Sequence, residues 1–245
     1  MNSGSNDPES RRADGPLATW LAALLPQHCV LCGAASGSRL LCGGCDADLP
    51  RLPDTHCPVC AVPMPAVETC GACLRDRPAF DATAAAFEYA YPLDALVRAY
   101  KYGARLELSH LFAEALVDVT RNLPKPDLIV PMPLARDRLA TRGFNQATEV
   151  ARRVARAHGV ALAPDACLRT RGGPAQASLP LAARAANVRN AFAVDPRHAG
   201  VAGLSVTVVD DVMTTGATLH ALAGALRAAG ATRVTCWVVA RTPPP

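Results

Sequence analysis

The sequence predicts an α/β protein built on a doubly wound, mainly parallel sheet, preceded by a cysteine-rich module. Strand-like and helix-like stretches alternate after residue 78, which is typical of parallel sheets with helices on both faces. Residues 204–209 are dominated by β-branched side chains with little polar alternation, as expected for a central strand covered on both faces. Eight of the ten cysteines lie in four Cys-x-x-Cys pairs ahead of that region.

Hydrophobic periodicity places the elements of the sheet domain. Strands are predicted at residues 80–89, 127–130, 162–168, 192–194, 204–209 and 233–240. Helices are predicted at residues 92–100, 106–122, 145–158 and 219–229, and residues 170–180 are expected to form a polar, mobile loop. Ligands of such sheets gather outside the carboxyl ends of the strands, so we expect a site next to Val130 and Val209.

Composition divides the chain into four segments. Residues 1–15 are rich in Ser, Asn, Asp and Gly and are predicted to be a disordered tail, and residues 16–26 a short helix. Residues 27–77 hold the cysteine module, and residues 78–245 the sheet domain. No stretch approaches the roughly 20 apolar residues of a membrane span. Residues 16–25 faintly resemble a signal peptide but lack a cleavage site, so we expect a cytoplasmic protein without a membrane partner.

Positive charge is concentrated in one part of the chain. The formal net charge is only +4, yet residues 134–190 contain ten arginines against three acidic residues. The planar guanidinium fork is suited to phosphate. An Arg-rich composition can also reflect solvated helix faces, so we expect only some of these arginines to contact a ligand.

The spacing of the cysteines indicates metal binding. Nine residues separate the first pair from the second and the third from the fourth, and eleven separate the second from the third. Two Cys-x-x-Cys knuckles complete a tetrahedral Zn²⁺ site. The equal gaps favour sequential pairing, with one site formed by Cys29, Cys32, Cys42 and Cys45 and the other by Cys57, Cys60, Cys70 and Cys73. The pattern resembles a double zinc ribbon, which we expect at residues 27–77.

Other interpretations of the cysteines stay open at this point. A disulfide framework needs an oxidising compartment, redox chemistry uses a single Cys-x-x-Cys pair, and an Fe–S cluster also takes four thiolates. Interleaved pairing of the first knuckle with the third is a further alternative. A zinc site with four cysteine ligands has no open coordination position, so we expect both zinc ions to be structural.

The segment after the central strand offers partners for a sugar phosphate. Asp210 and Asp211 follow the strand, and a loop rich in hydroxyl side chains and glycine then opens a helix. Backbone N–H groups at a helix N-terminus favour phosphate, and carboxylates favour sugar hydroxyls or Mg²⁺. The alternative is an ordinary strand–turn–helix in which Asp serves as a helix cap.

This segment resembles the signature of the type I phosphoribosyltransferases, which bind 5-phosphoribosyl-1-pyrophosphate (PRPP) with Mg²⁺. The resemblance implies that Asp210 and Asp211 hold the ribose hydroxyls. It implies that the 5′-phosphate is held by Met213, Thr214, Thr215, Gly216, Ala217 and Thr218. It also implies that the turn after the first core strand, with Met132, Pro133 and Leu134, holds the pyrophosphate.

Further strings resemble the ComF-type proteins. These are Lys101-Tyr102-Gly103, residues 131–136, Arg142-Gly-Phe-Asn-Gln, and Gln176-x-x-Leu with Arg184-x-x-Asn, together with the cysteine array. The resemblance implies pyrophosphate contacts for Lys101 and Arg142 and a polar or capping role for Asn145. It implies catalytic roles for Asp210, Asp211 and Arg142. Gln176, Arg184 and Asn187 are expected on or beside the mobile loop.

The function expected from this resemblance is transfer of a phosphoribosyl group from Mg–PRPP to an unidentified acceptor, with release of pyrophosphate. The alternative is a non-catalytic, PRPP-responsive adaptor that binds single-stranded DNA or protein in DNA uptake, that is competence, or in repair. Aromatic residues make up only 4% of the chain, which gives little support to a base-stacking platform. The sequence predicts neither the acceptor nor the oligomeric state, and no residue stands out as an acceptor-activating base.

Overall fold

The computed structural model describes residues 27–170, 191–195 and 200–243. The predicted tail, the predicted helix at 16–26 and the predicted loop residues Gln176, Arg184 and Asn187 lie outside these ranges. The chain divides into two compact units, Met1–Asp48 and Leu49–Pro245. In the part of the chain that is described, no helix has the length and hydropathy to cross a bilayer.

The smaller unit is a compact cysteine-bearing hairpin followed by one helical turn. Strands β1 (Gln27–His28) and β2 (Ala35–Gly37) pair in antiparallel orientation, and helix α1 (Gly43–Ala47) follows. Gly33 closes the first knuckle, where its amide donates to the carbonyl of Cys29 at 2.9 Å. Its φ of +74° lies in the left-handed region, which glycine adopts without strain.

The larger unit confirms the predicted doubly wound α/β fold. Five parallel strands form one sheet in the order β3-β9-β8-β4-β5, and β6 and β7 form a separate antiparallel pair. The elements in chain order are α2 (Gly71–Arg75), β3 (Ala82–Glu88), α3 (Leu93–Tyr102), α4 (Leu108–Thr120), β4 (Leu128–Pro131), α5 (Arg136–Arg142), α6 (Gln146–His158), β5 (Ala161–Leu162), β6 (Cys167–Arg169), β7 (Phe192–Val194), β8 (Ser205–Met213), α7 (Ala217–Ala228) and β9 (Arg233–Arg241).

Strand β8 is covered on both faces, as its β-branched sequence predicts. On one face, Val208 belongs to the same buried cluster as Leu222 of α7. On the other, the ring of Trp237 from the neighbouring strand lies 5.0 Å from that of His158 in α6. Side chains alternate between the faces of a strand, so the apolar run serves two helical layers.

Several boundaries differ from those predicted. Strand β8 continues to Met213 instead of ending at Val209, because β9 runs alongside it as far as Arg241. The predicted strand at 162–168 is wrong: the segment forms β5 and β6, which belong to different sheets. Pro164 interrupts it, since proline has no amide hydrogen for a sheet ladder. The short helix α5 was not predicted.

The second cysteine group lies in the larger unit. The hydroxyl of Thr83 in β3 donates to the carbonyl of Val59 at 2.8 Å, between two of the cysteines. Cys57 and Cys60 are buried in the same cluster as the sheet. The predicted domain boundary at residues 77/78 stays a prediction about sequence segments, whereas the compact units divide at Asp48.

Gly224 lies inside α7 and Gly230 follows its end, and we predict opposite effects on stability for an alanine at the two positions. A Cβ added at Gly224, inside the helix, would meet no atom within 4 Å, so Gly224→Ala should stabilise the protein by about 0.5–1 kcal/mol. Gly230 has φ +96°, and its added Cβ would lie 3.1 Å from Cβ of Ala202. Gly230→Ala should therefore lower the free energy of unfolding measured in urea. Shifts of the same sign in both variants would contradict this description.

Candidate functional site

Two adjacent carboxylates form the centre of the candidate site. Asp210 and Asp211 lie near the carboxyl end of β8. Nζ of Lys101, in the last turn of α3, lies 2.8 Å from Oδ1 of Asp211. The amide of Asp211 donates to Oδ1 of Asp210 at 2.8 Å. The helix α3 thus supplies a cation to the end of the central strand.

The pair shares its negative charge unequally. Burial, followed by the negative charge of Asp211, raises the pKa of Asp210 from its ordinary 3.8 to about 7. The amide of Asp211 and the charges of Lys101 and Arg169 act in the opposite direction. Asp210 is therefore a carboxyl group that gains or loses its charge near neutral pH.

The loop after β8 presents an open helix N-terminus. Gly216 caps α7 in the left-handed region at φ +80°, and a Cβ there would lie 2.7 Å from Cε of Met213. The amide of Ala217 donates to the hydroxyl of Thr215 at 3.3 Å. The residues that line this loop on the outside are exposed, namely Thr214, Thr215, Ala217 and Thr218. The first amides of a helix have no intrahelical acceptor, so this end can receive an anion.

The turn that follows β4 lies beside the same strand. The amide of Met132 donates to the carbonyl of Val209 at 2.8 Å, so it is engaged by the sheet. Pro133 has no amide hydrogen, so Leu134 and Ala135 supply the remaining amides of this turn. The assignment of Met132, Pro133 and Leu134 to pyrophosphate stays a prediction, in which the Met132 amide takes no part while it is paired with Val209.

Asn145 joins that turn to helix α6. Its Oδ1 accepts from the amide of Ala147 at 3.0 Å, which caps the helix, and its Nδ2 donates to the carbonyl of Met132 at 3.0 Å. The side chain of Asn145 therefore both caps α6 and holds the turn after β4, which agrees with the polar or capping role predicted for it. It fixes the start of α6 against the turn.

Arg142 lies at the end of α5 and contacts Tyr102, the residue that follows Lys101 in α3. Its Nη2 donates to the hydroxyl of Tyr102 at 3.3 Å, and its guanidinium carbon lies 5.0 Å from the centre of that ring. Its Nη1 donates to Oε1 of Gln146 at 3.1 Å. Gly143 lets the chain turn there at φ +77°. Lys101, Tyr102 and Arg142 therefore form one cationic edge of the site.

Arg169 is a candidate site residue that the sequence argument missed. It is the last residue of β6, and its positive charge acts to lower the pKa of Asp210. Its guanidinium carbon lies 5.4 Å from the centre of the Phe192 ring. The signal available in the sequence was its place between a strand and the polar segment that begins near residue 170.

Two buried donors near the site have no hydrogen-bond partner among the described residues. They are Nε2 of Gln146 and Nε of Arg169. A buried donor left without an acceptor costs about 1–3 kcal/mol, and such groups are rare in folded proteins.

The two cysteine groups have the geometry of metal centres. In each group the four sulfur atoms lie within 4.8 Å of one another, and the grouping matches the predicted sequential pairing. The sulfur atoms of Cys32 and Cys42 are 3.7 Å apart, and those of Cys60 and Cys70 are 3.6 Å apart. Zn–S bonds of about 2.3 Å in a tetrahedron place sulfurs about 3.8 Å apart. The residues fit two structural zinc ions.

Backbone amides favour the thiolate form of one cysteine in each group. Burial opposes ionisation of Cys29, yet the amides of Cys32, Cys42 and Leu31 lower its pKa to about 6. At Cys57 burial again raises the pKa, and amides including that of Cys70 bring it down to about 7. Zinc binds the thiolate form, so these amides favour metal binding near neutral pH.

Family models match both parts of the chain. A model of the double zinc ribbon domain matches residues 20–74, and a model of the phosphoribosyl transferase domain matches residues 139–244. The second match covers the carboxylate pair, the loop after β8 and Arg142.

A solved structure described as the allosteric regulatory enzyme of purine biosynthesis gives a partial superposition. Its TM-score is 0.41 at 21% identity, and it covers 58% of this chain. The match spans only 29% of that enzyme.

Curated relatives match over much of the chain. The DNA utilization protein YhgH of Salmonella typhi is 34% identical over 161 residues, which are 63% of this chain and 70% of the relative. Competence protein F of Haemophilus influenzae is 28% identical over 208 residues, which are 82% of this chain and 90% of the relative. With its double zinc ribbon and phosphoribosyltransferase domain, the chain belongs to the ComF family.

Proposed function

We propose that the protein binds Mg–PRPP at the carboxyl end of β8 and transfers its phosphoribosyl group to an acceptor, releasing pyrophosphate. The observation that carries this proposal is the Asp210–Asp211 pair beside an open helix N-terminus. The carboxylates suit the two ribose hydroxyls, and the amides at the start of α7 suit the 5′-phosphate. One strand–loop–helix segment therefore offers contacts to both parts of a sugar phosphate.

The cationic edge supports a pyrophosphate position on the Asp211 side. Nζ of Lys101 lies 2.8 Å from Oδ1 of Asp211, so a pyrophosphate bound beside Lys101 would compete for this cation and leave the carboxylate available to the ribose. Arg142 is held by Gln146 and Tyr102, which orient its guanidinium. The amides of Leu134 and Ala135 complete this set of donors.

The transfer is a displacement at C1 of the ribose. The C1–O bond to pyrophosphate breaks and its electron pair leaves with the pyrophosphate, while a lone pair of the acceptor forms the new bond to C1 and the acceptor loses a proton. Positive charge develops on the ribose near Asp210 and Asp211, and negative charge develops on the leaving group near Lys101 and Arg142. Fixed charges of this kind stabilise a transition state more effectively than water does.

The carboxylates also fit the cation that accompanies PRPP. Mg²⁺ prefers oxygen ligands from one or two carboxylates together with phosphate oxygens, and Asp210 and Asp211 supply such oxygens. When bound, Mg²⁺ neutralises charge on the departing pyrophosphate.

A second candidate function is a PRPP-responsive adaptor that does not catalyse transfer. Asp210 and Asp211 are assigned to the ribose in both candidates, and we assign no further described residue to deprotonating an acceptor. The relatives' names refer to DNA utilization and competence, which suits an adaptor acting on DNA or on proteins that handle it. Both candidates require the same PRPP site.

The first prediction concerns affinity for PRPP. Asp210→Asn and Asp211→Asn should each weaken binding of Mg–PRPP at least tenfold in calorimetry at pH 8, because each removes a charged acceptor for the ribose or its cation. Asp118→Asn is the matched control, since that side chain is 64% exposed on α4 and pairs only at the surface with Arg121. Equal affinity in all four proteins would contradict the site.

The second prediction concerns pH. Because the pKa of Asp210 rises from 3.8 to about 7 on folding, its contribution to stability is complete below 3.8 and is lost as the pH rises through about 7. The thermal midpoint of the wild type should therefore fall between pH 5.5 and 8.5 relative to Asp210→Asn. The Asn side chain of this variant keeps an oxygen that can accept the hydrogen bond from the amide of Asp211.

Affinity should change in the opposite direction over the same pH range. Ionisation of Asp210 creates the acceptor for ribose, so Mg–PRPP should bind the wild type more tightly at pH 8 than at pH 6. The phosphates of PRPP also titrate near pH 6, so the quantity to compare is the difference between the wild type and Asp210→Asn. A pH profile that is identical in the two proteins would rule out this role for Asp210.

The third prediction separates enzyme from adaptor. The zinc-loaded protein is incubated with Mg–PRPP and a pool of bases, amines and nucleic acids, and pyrophosphate release is followed. For an enzyme, Arg142→Met should lower the rate by about 10²-fold, as for loss of one donor to a charged transition state, whereas Arg121→Met, exposed on α4, should not. Binding of PRPP without release under any acceptor would favour the adaptor.

A further inference from the structure

Arg241 is a buried cation that contacts both the second cysteine group and the loop after β8. It ends β9 and is 8% exposed. Its Nε donates to the carbonyl of Cys60 at 2.8 Å, and its Nη1 donates to the carbonyls of Met213 and Thr214. One guanidinium thus joins a residue of the metal-binding group to the first residues of the loop that we assign to the 5′-phosphate.

The partners of this guanidinium are backbone carbonyls. Besides those three, Nη1 donates to the carbonyl of Thr242 at 2.6 Å, and no carboxylate is recorded among its contacts within the described residues. A buried charge is costly unless it is well hydrogen-bonded, so the positions of these carbonyls and of the guanidinium depend on one another. The charge also lies under a loop suited to a phosphate.

The position of the Cys60 carbonyl depends on the knuckle to which it belongs. Ala61 follows Cys60 with φ +56° and is fully buried, a left-handed conformation that non-glycine residues rarely adopt. The amide of Ala61 donates to the carbonyl of Cys57 at 2.8 Å. The corresponding position of the first knuckle is Gly33, which adopts such a φ without strain. The strained second knuckle needs its closed form to be held, and bound zinc would hold it.

The residues at the start of the loop after β8, which Arg241 contacts, are also closely packed. Gly216 leaves no room for a Cβ beside Met213, and the ring of Phe80 packs against the same glycine, 3.7 Å from where that Cβ would lie. The amide of Thr242 donates to the carbonyl of Met213 at 3.0 Å. A shift of Arg241 would therefore move the residues that set the start of the loop.

We infer that Arg241 is a positioning residue that couples zinc at the second cysteine group to binding of a 5′-phosphoribosyl ligand. Zinc closes the knuckle, the knuckle places the Cys60 carbonyl, and Arg241 transmits that placement to Met213 and Thr214. This inference rests on the proposed function, because it assigns the loop after β8 to the ligand's phosphate. Coupling of binding free energies is reciprocal, so bound ligand must strengthen zinc binding at this group by the same factor. We expect the stronger binding to appear as slower loss of zinc.

Affinity for Mg–PRPP is the first readout, measured by calorimetry on the full chain after metal analysis has shown two zinc ions per wild-type chain. Cys73→Ser removes a ligand of the second group and should weaken binding at least tenfold, whereas Cys45→Ser, in the first group and the other compact unit, should leave it within twofold. Arg241→Met should weaken binding to a similar extent, and adding Cys73→Ser to it should have little further effect. Arg233→Met, exposed at the start of the same strand, is the matched control.

Release of zinc is the second readout and does not depend on the folding of Cys73→Ser. In Cys45→Ser protein, where the second group holds the remaining zinc, saturating Mg–PRPP should slow transfer of zinc to a chromogenic chelator at least fivefold. The same protein with Arg241→Met should show no such protection at PRPP concentrations that saturate it. A merely structural arginine would change the basal release rate but not this protection.

The possible failures are distinguishable. Unchanged zinc release in the presence of PRPP that calorimetry shows to be bound would overturn the coupling and leave the proposed function intact. Absence of PRPP binding to the zinc-loaded wild type would instead overturn the proposed function.

Discussion

Two carboxylates in sequence at the end of a buried strand repel each other, and the surrounding structure is arranged to hold that charge. Asp211 is paired with Lys101, and burial beside Asp211 raises the pKa of Asp210 to about 7, so that Asp210 is only partly ionised at neutral pH. Stability alone does not require such an arrangement, because the strand would be easier to bury without it. The ligand that we propose supplies hydroxyl groups and a cation, both of which the two carboxylates can bind. In that proposal the elements around β8 contact the phosphate groups of the same ligand.

The cysteine groups differ in how they relate to this site. The second group belongs to the same compact unit as the sheet, where Thr83 binds the carbonyl of Val59 and Arg241 binds that of Cys60. A structural zinc site is usually regarded as a stabiliser of its own module. Here its knuckle contributes directly to the support of the loop after β8, so its metal content is expected to affect ligand binding as well as folding.

Much of the fold could be predicted from the sequence because its signals are local. The β-branched run of β8, the Asp pair and the Cys-x-x-Cys spacing each occupy a few neighbouring residues. Contacts between distant segments carry no such signal: Arg241 and Cys60 are 181 residues apart, and nothing near Lys101 indicates that it meets Asp211. The break at Pro164 was available in the sequence, yet the apolar residues on either side of it suggested one continuous strand.

The position of bound PRPP is the most direct test of the proposed site. Crystals of the zinc-loaded protein soaked with Mg–PRPP should show the ribose hydroxyls or their cation at Asp210 and Asp211, and the 5′-phosphate at the amides of residues 214–218. The pyrophosphate should lie toward Leu134, Lys101 and Arg142. A bound ligand with neither carboxylate within hydrogen-bond distance of the ribose or the cation would contradict the account.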